Sequence, residues 1–250
     1  MKWEGGEAPG GLRWLSPGWP VPAGFCTALA QAEASTHFHE GSMLGACERA
    51  AFAAGLEGVR WAILRQTHST EVRKAEGLGE GRGVCLGEAD ALWTEEAGVG
   101  LAVQTADCIP ILLLDRRRRR IAAVHAGWRG TWGRIIWEQL ALWYKEGSRP
   151  SDIEAALGPS IGPCCYEVDE ALAQQFAGRW GGGVLKQPEG ASKPRLNLVE
   201  ALELDLMEVG VLPLHIQRAE LCTYCDTRFH SYRREKGRAG RQLSWVVCRF

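Results

Sequence analysis

The chain has 250 residues, 46% of them apolar and 24% charged, with a net charge of −1, which is the profile of a globular protein long enough to bury a large core. That balance gives no general attraction to nucleic acid or to an anionic membrane, so neither is expected as a partner. No run of about 18 apolar residues is present, and the N-terminal MKWEGGEAPGG lacks the apolar segment of a signal peptide, so the chain is expected in the cytoplasm.

Residues 1–20 carry Gly, Pro and isolated Trp without periodicity and read as an irregular arm or an edge strand. Met43, Leu44, Cys47, Ala50, Ala51 and Ala54 recur at helical spacing, which predicts a helix from about Ser42 to Ala54, stopped by Gly55. Strands are expected at Trp61–Gln66 and Glu71–Lys74, around a turn holding His68. Five of the eleven residues 77–87 are glycine, which predicts a loop, and no dinucleotide-binding glycine pattern opens a helix there. Further strands are expected at Ala91–Thr94 and Val99–Thr105.

Ile109–Leu114 and Ile121–Val124 are two short apolar runs separated by Asp115 and the arginines 116–120, the pattern of an antiparallel hairpin with a solvated tip. Gly130-Thr131 is expected to open a helix in which Ile136, Leu140 and Trp143 form one apolar stripe. Ile153–Leu157 reads as a strand followed by the constrained loop GlyProSerIleGlyPro. Asp169 can cap a helix to about Ala177, and Asn197 with Glu200 resembles a capping box for a helix to Val209. Leu212–Gln217 and Leu243–Val247 are the last expected strands. No repeat and no linker divides the chain, so one domain spanning 1–250 is expected. Strands in hairpins and runs, with helices between them but no strict alternation, favour α+β over a doubly wound sheet.

The residues that carry chemistry cluster around the hairpin. With a two-residue turn at Arg116-Arg117, Cys108 faces His125, and cross-strand neighbours stand about 5 Å apart. His68 is a third candidate, and one cysteine with two histidines is the donor set of a catalytic zinc site with an open position. Arg129, four residues past His125 at a helix start, can hold an oxyanion such as phosphate. Nine cysteines, an odd number in a chain too large to need stapling, read mostly as buried thiols. Cys222-x-x-Cys225 with His230 has no second CxxC at finger or ribbon spacing, and the vicinal Cys164-Cys165 read as thiols in the pocket wall.

Gln66-Thr67-His68, AlaAspAlaLeuTrpThr at 89–94, ThrAlaAspCys at 105–108 and HisAlaGlyTrpArgGlyThr at 125–131 resemble the YfiH-like family. So do GlyProSerIleGlyProCysCysTyrGluVal at 158–168, Cys222-Thr223, SerTyrArgArg at 231–234 and Gly240-Arg241. This laccase-domain family, first labelled polyphenol oxidase, is associated with purine nucleoside phosphorylase and adenosine deaminase activity. The resemblance implies a layered α/β/β/α sandwich and a zinc ion on His68, Cys108 and His125, with copper as second choice. It also implies nucleoside and phosphate as substrates, Asp107 as proton shuttle, Gln66 beside the substrate, and Arg129 with Arg233 or Arg234 on the phosphate.

The chain departs from the family after Phe25-Cys26-Thr27, where a longer segment with an Arg and an Asn is replaced by AlaLeuAlaGlnAlaGluAlaSer. Three alternatives stand beside the nucleoside enzyme. One is a hydrolase with Cys108 as nucleophile and His125 as base, suited to editing peptidoglycan precursors. Another is a non-catalytic nucleoside-binding module. The third is a copper-dependent polyphenol oxidase, which the ligand count disfavours, since the chain has six histidines and a single H-x-H pair, His37 and His39.

Overall fold

The computed structural model describes residues 4–7, 13–26, 39–79, 81–190, 192–236 and 238–250. In chain order the elements are β1 (Glu4–Glu7), β2 (Arg13–Ser16), β3 (Ala23–Cys26), α1 (Glu40–Ala53), β4 (Arg60–Arg65), β5 (Val72–Lys74), β6 (Gly83–Glu88) and β7 (Ala91–Thr94). There follow β8 (Val99–Thr105), β9 (Ile109–Asp115), β10 (Arg120–Ala126), α2 (Trp128–Trp132), α3 (Ile135–Lys145), β11 (Ile153–Leu157) and α4 (Glu170–Trp180). The last are β12 (Leu185–Lys186), β13 (Arg195–Leu196), α5 (Leu198–Glu208), β14 (Ile216–Arg218), α6 (Tyr232–Glu235) and β15 (Gln242–Val247).

A seven-stranded sheet runs β1-β2-β3-β15-β8-β4-β6, and a six-stranded sheet runs β14-β11-β9-β10-β7-β5. The alternation of side chains along each strand builds three cores from them. Leu64, Leu101 and Val103 of the first sheet meet Leu112, Leu114, Ile121 and Ala123 of the second. The opposite face of the second sheet, with Ile109, Ile111, Leu113 and Val124, packs on Ile136, Leu140, Trp143, Phe176 and Leu202 of the helices. The opposite face of the first, with Trp61, Ile63 and Trp245, is covered by Met43, Ala46, Cys47 and Ala50 of α1. The result is the expected α/β/β/α sandwich. β9 and β10 are buried on both faces, which is why they read as unbroken apolar runs.

Several expectations are narrowed or corrected. Of the irregular arm or edge strand expected at residues 1–20, it is the edge strand that forms, β1 and β2 pairing antiparallel at the edge of the first sheet. The glycine-rich stretch is part strand: β6 runs parallel to β4, and a side chain at Gly83 would strike the Trp61 carbonyl at 2.7 Å, so glycine there marks close backbone approach. The single helix after His125 is two, because Arg134 adopts φ +65 between α2 and α3 and its guanidinium reaches Glu208 at 2.6 Å. The strand expected at 212–217 shrinks to β14, preceded by the 3-10 turn Pro213–His215.

The hairpin register also differs. Asp115 pairs with Arg120 and Pro110 with His125, so the loop has four residues, 116–119. A two-residue hairpin turn needs positive φ at one or both central positions, which arginine disfavours. Here only Arg119 adopts it (φ +57), and Asp115 Oδ1 accepts the Arg118 amide at 2.8 Å. Arg116 to Arg119 are exposed, as a solvated tip should be, but Arg120 is 4% exposed and salt-bridged to Glu95 and Glu146. The segment after Cys26 lies outside the described residues, as does His37.

Candidate metal centre and cleft

Because the register is shifted by two residues, Cys108 lies across from Gly127 instead of His125. A shift of two keeps both side chains on the face between the sheets. Cys108 precedes β9 and His125 ends β10, so they sit as diagonal neighbours at one mouth of the sandwich. His68 reaches them from the turn after β4. The donor atoms of His68, Cys108 and His125 all lie within 4.8 Å of one another. Cys108 Sγ is 3.7 Å from His68 Nε2, and the two imidazoles meet edge to face at 4.8 Å between centroids. Gly127 makes the space: a Cβ there would come within 3.0 Å of both Cys108 Sγ and His68 Cδ2.

Asp90 fixes this geometry. It is fully buried at the start of the turn into β7, and its carboxylate accepts six hydrogen bonds. Oδ2 takes the amides of Thr67 (3.1 Å) and Ser69 (2.6 Å) and the hydroxyls of both residues. Oδ1 takes the His68 amide at 3.0 Å and His125 Nδ1 at 2.6 Å. The same carboxylate therefore holds the 67–69 turn, in which His68 has φ +62, and selects the His125 tautomer whose Nε2 lone pair faces the cluster. Burial raises the Asp90 pKa, but the hydrogen bond and charge of His125 and the bonds from Ser69 prevail and hold it at about 2.

The electrostatics suit a cation. Burial pushes the Cys108 thiol up, yet the charge and hydrogen bond of His125 and the proximity of His68 bring it down to about 6. Burial depresses His125, while the Cys108 thiolate and Asp90 raise it to about 9. A thiolate beside two imidazoles, one backed by a carboxylate, is a donor set for zinc, whose bonds measure about 2.3 Å to sulfur and about 2.0 Å to nitrogen. The three donor atoms, all within 4.8 Å of one another, are the residues that could hold such an ion.

Above the cluster is a cleft of about 560 Å³ lined by Gln66, Gln104, Asp107, Trp128, Arg129, Ile161, Tyr166, Tyr232, Arg233 and Arg241. Arg129 stacks on Trp128 at 4.4 Å and has no carboxylate partner among the described residues. Arg233 lies over the Tyr166 ring at 5.3 Å. Asp107, at φ +86, accepts the Thr223 hydroxyl and the Arg233 amide, both at 2.7 Å. Gln66 also lines the cleft, but its amide is held against the backbone of Gln104 at 2.7 and 2.8 Å.

Arg234 is turned away. Its guanidinium is consumed by the carbonyls of Thr223, Tyr224 and Phe229 and by Glu235, so of the arginine pair only Arg233 lines the cleft. Contributors to which the sequence reading gives no role include Asp90, Tyr166 and Arg241. Asp90 had a visible signal, an acid inside the apolar AlaAspAlaLeuTrpThr. The other two line the cleft only because loops distant in sequence converge.

The chain is thus an α/β/β/α sandwich with a His-Cys-His cluster, a candidate metal-binding group, on the floor of an arginine-rimmed cleft. The sequence matches the family described as multi-copper polyphenol oxidoreductase laccase over residues 34–249, and the chain belongs to this laccase/YfiH-like family. It is similar to the purine nucleoside phosphorylase YlmD of Geobacillus stearothermophilus, 36% identical over 202 residues, which are 75% of this chain and 72% of that one. It is 33% identical over 192 residues to a protein of an unknown prokaryotic organism named adenosine deaminase RL5, covering 73% of this chain and 72% of that one. The crystal structure of the hypothetical protein YfiH of Bacillus licheniformis superposes with a TM-score of 0.84 at 27% identity, over 95% of this chain and 96% of that one. Among the described residues, no helix is long and apolar enough to cross a membrane.

Proposed function

We propose that the protein is a zinc-dependent enzyme of purine nucleosides, cleaving adenosine or inosine with phosphate to the base and ribose 1-phosphate and deaminating adenosine to inosine. The observation that carries this reading is the His68, Cys108 and His125 donor set opening into a cleft whose rim holds Arg129, which has no carboxylate partner among the described residues. The names of the related phosphorylase and deaminase supply the substrate class. The cleft volume falls within the usual range for small ligands.

In phosphorolysis a phosphate oxygen forms a bond to C1′ as the bond from C1′ to the purine nitrogen breaks, and the electron pair leaves with the base. Arg129 and Arg233 hold and orient the phosphate, neutralising charge that would repel the electron-rich ring oxygen. Trp128 and Tyr166, beneath Arg129 and Arg233, supply apolar edges for the purine. In deamination a water oxygen replaces the amine at C6 and ammonia leaves, which requires a proton on the departing nitrogen. Asp107 is the carboxyl placed to pass it, since each of its oxygens keeps a lone pair beyond its Thr223 or Arg233 bond. When bound by His68, Cys108 and His125, zinc supplies a Lewis acid at the floor of the cleft.

A second reading has one observation in its favour: Cys108, His125 and Asp90 form a chain of thiolate, imidazole and carboxylate, the arrangement of a cysteine hydrolase. Chromatography of adenosine and inosine incubated with phosphate separates the two. Hypoxanthine, adenine or inosine formed by wild type, abolished by chelation and by Cys108→Ala, and slowed by Arg129→Ala, is expected. Turnover that survives complete metal removal would overturn the proposal and leave the hydrolase.

A further inference from the structure

A second group of donors lies behind the cleft wall. Cys164 and Cys165 follow the 158–163 loop, Cys222 and Cys225 occupy the turn after β14, and the four sulfurs all lie within 4.8 Å of one another. Cys225 Sγ is 3.6 Å from Cys164 Sγ and 3.3 Å from Cys165 Sγ. A tetrahedral zinc with sulfurs at about 2.3 Å separates them by about 3.8 Å, so the cluster is near the size a single ion needs.

Two features point to thiolates gathered for a cation. The Gly162 amide donates to Cys222 Sγ at 3.2 Å, which compensates charge on a thiolate. Gly162 also leaves the space open, since a Cβ there would stand 3.3 Å from Cys164 Sγ and 3.6 Å from Cys222 Sγ. Cys164 and Cys225 are exposed, so an ion enters from solvent.

We propose that Cys164, Cys165, Cys222 and Cys225 form a second, structural zinc site, separate from the centre in the cleft. Each thiol gives its proton to solvent as zinc binds, and no redox change occurs. The ion ties the loop bearing Ile161 and Tyr166 to the turn whose Thr223 holds Asp107, joining two segments that otherwise meet through the Ser160 and Cys222 bridge. It therefore sets the far wall of the cleft without touching substrate.

The test measures metal on intact protein purified under reducing conditions, loaded with zinc or cobalt and desalted. Wild type should hold about two ions, and Cys108→Ser, which leaves the cluster intact, about one. Cobalt-loaded Cys108→Ser should show the intense visible and sulfur-to-metal charge-transfer bands of a tetrathiolate site. Those bands should be absent from Cys222→Ser/Cys225→Ser, and a reduced ion count that keeps turnover but raises KM for nucleoside would match a wall-setting role. If that double variant fails to fold, cobalt-loaded Cys108→Ser still decides the matter. A Cys108→Ser protein that binds no cobalt while its thiols titrate as free would overturn the proposal. So would a wild-type mass lower by four hydrogens with the cluster closed as disulfides. Neither result touches the cleft centre, whose metal is read separately as the ion lost on replacing Cys108.

Discussion

Replacing Asp90 with Asn tests whether one buried carboxylate organises the cleft centre. The amide is nearly isosteric, but it presents one acceptor oxygen where the carboxylate presents two. If its NH2 takes the Oδ2 position, it faces the Thr67 and Ser69 amides, which now have no acceptor. If it takes the Oδ1 position, it faces the His68 amide and His125 Nδ1, and the imidazole must move its proton to Nε2 to accept from it. A buried donor left unpaired costs about 1–3 kcal/mol, so two of them amount to roughly 2–6 kcal/mol.

For a chain of this size that corresponds to a Tm lower by roughly 4–24 °C in metal-free protein, read by calorimetry. The second orientation also removes the lone pair a metal needs, and zinc affinity by competition with a chelator should fall about 10–100-fold. The acid limb gives a check of sign. Because burial is outweighed by the bonds that hold Asp90 down at about 2, its contribution is present above the ordinary value of 3.8 and disappears as pH falls through about 2. Asp90→Asn should lack that step. A loss of stability below about 1 kcal/mol with zinc affinity unchanged would refute the assignment.

In metal-free protein the Cys108 thiolate should form with a midpoint near pH 6, so its alkylation by iodoacetamide rises through that range, and His125→Ala should move the midpoint back towards 9; a wild-type midpoint near 9 would count against the pair. Gly127→Ala, at a backbone φ of −83 that any residue accepts, should lower zinc affinity about tenfold by crowding Cys108 and His68, with little change in Tm. Unchanged affinity would show that the centre is looser than its geometry. Arg129→Ala should raise KM for phosphate at least about tenfold and leave the metal content intact, whereas an unaltered KM would remove Arg129 from the phosphate site.

The elements most legible in the sequence were those whose partner is the core. β9, β10 and β11 announce themselves as apolar runs because both faces are buried, and the helices capped by Asp169 and Asn197 begin where those side chains accept amides. Errors came where tertiary contact overrides local preference: the glycines of β6, placed by Trp61, and the break at Arg134, held by Glu208. Cys108 and His125 are paired through an assumed register that is off by two residues, an error the period-two alternation forgives, whereas His68 enters from a separate turn. Asp90 needed the fold, since nothing in its neighbourhood of sequence says that it faces both His68 and His125. The four-cysteine cluster needed it more, because Cys164-Cys165 and Cys222-x-x-Cys225 are weak patterns alone and become a site only when the two loops meet.

The most direct test of the proposed activity is phosphorus NMR of inosine and phosphate with three preparations: protein stripped of metal, the same protein given zinc, and Cys108→Ala given zinc. A ribose 1-phosphate signal that grows in step with hypoxanthine only in the second is the expected result. Equal product from the stripped protein, or none from any preparation at full zinc occupancy, would contradict the assignment of the cleft to zinc-dependent nucleoside chemistry.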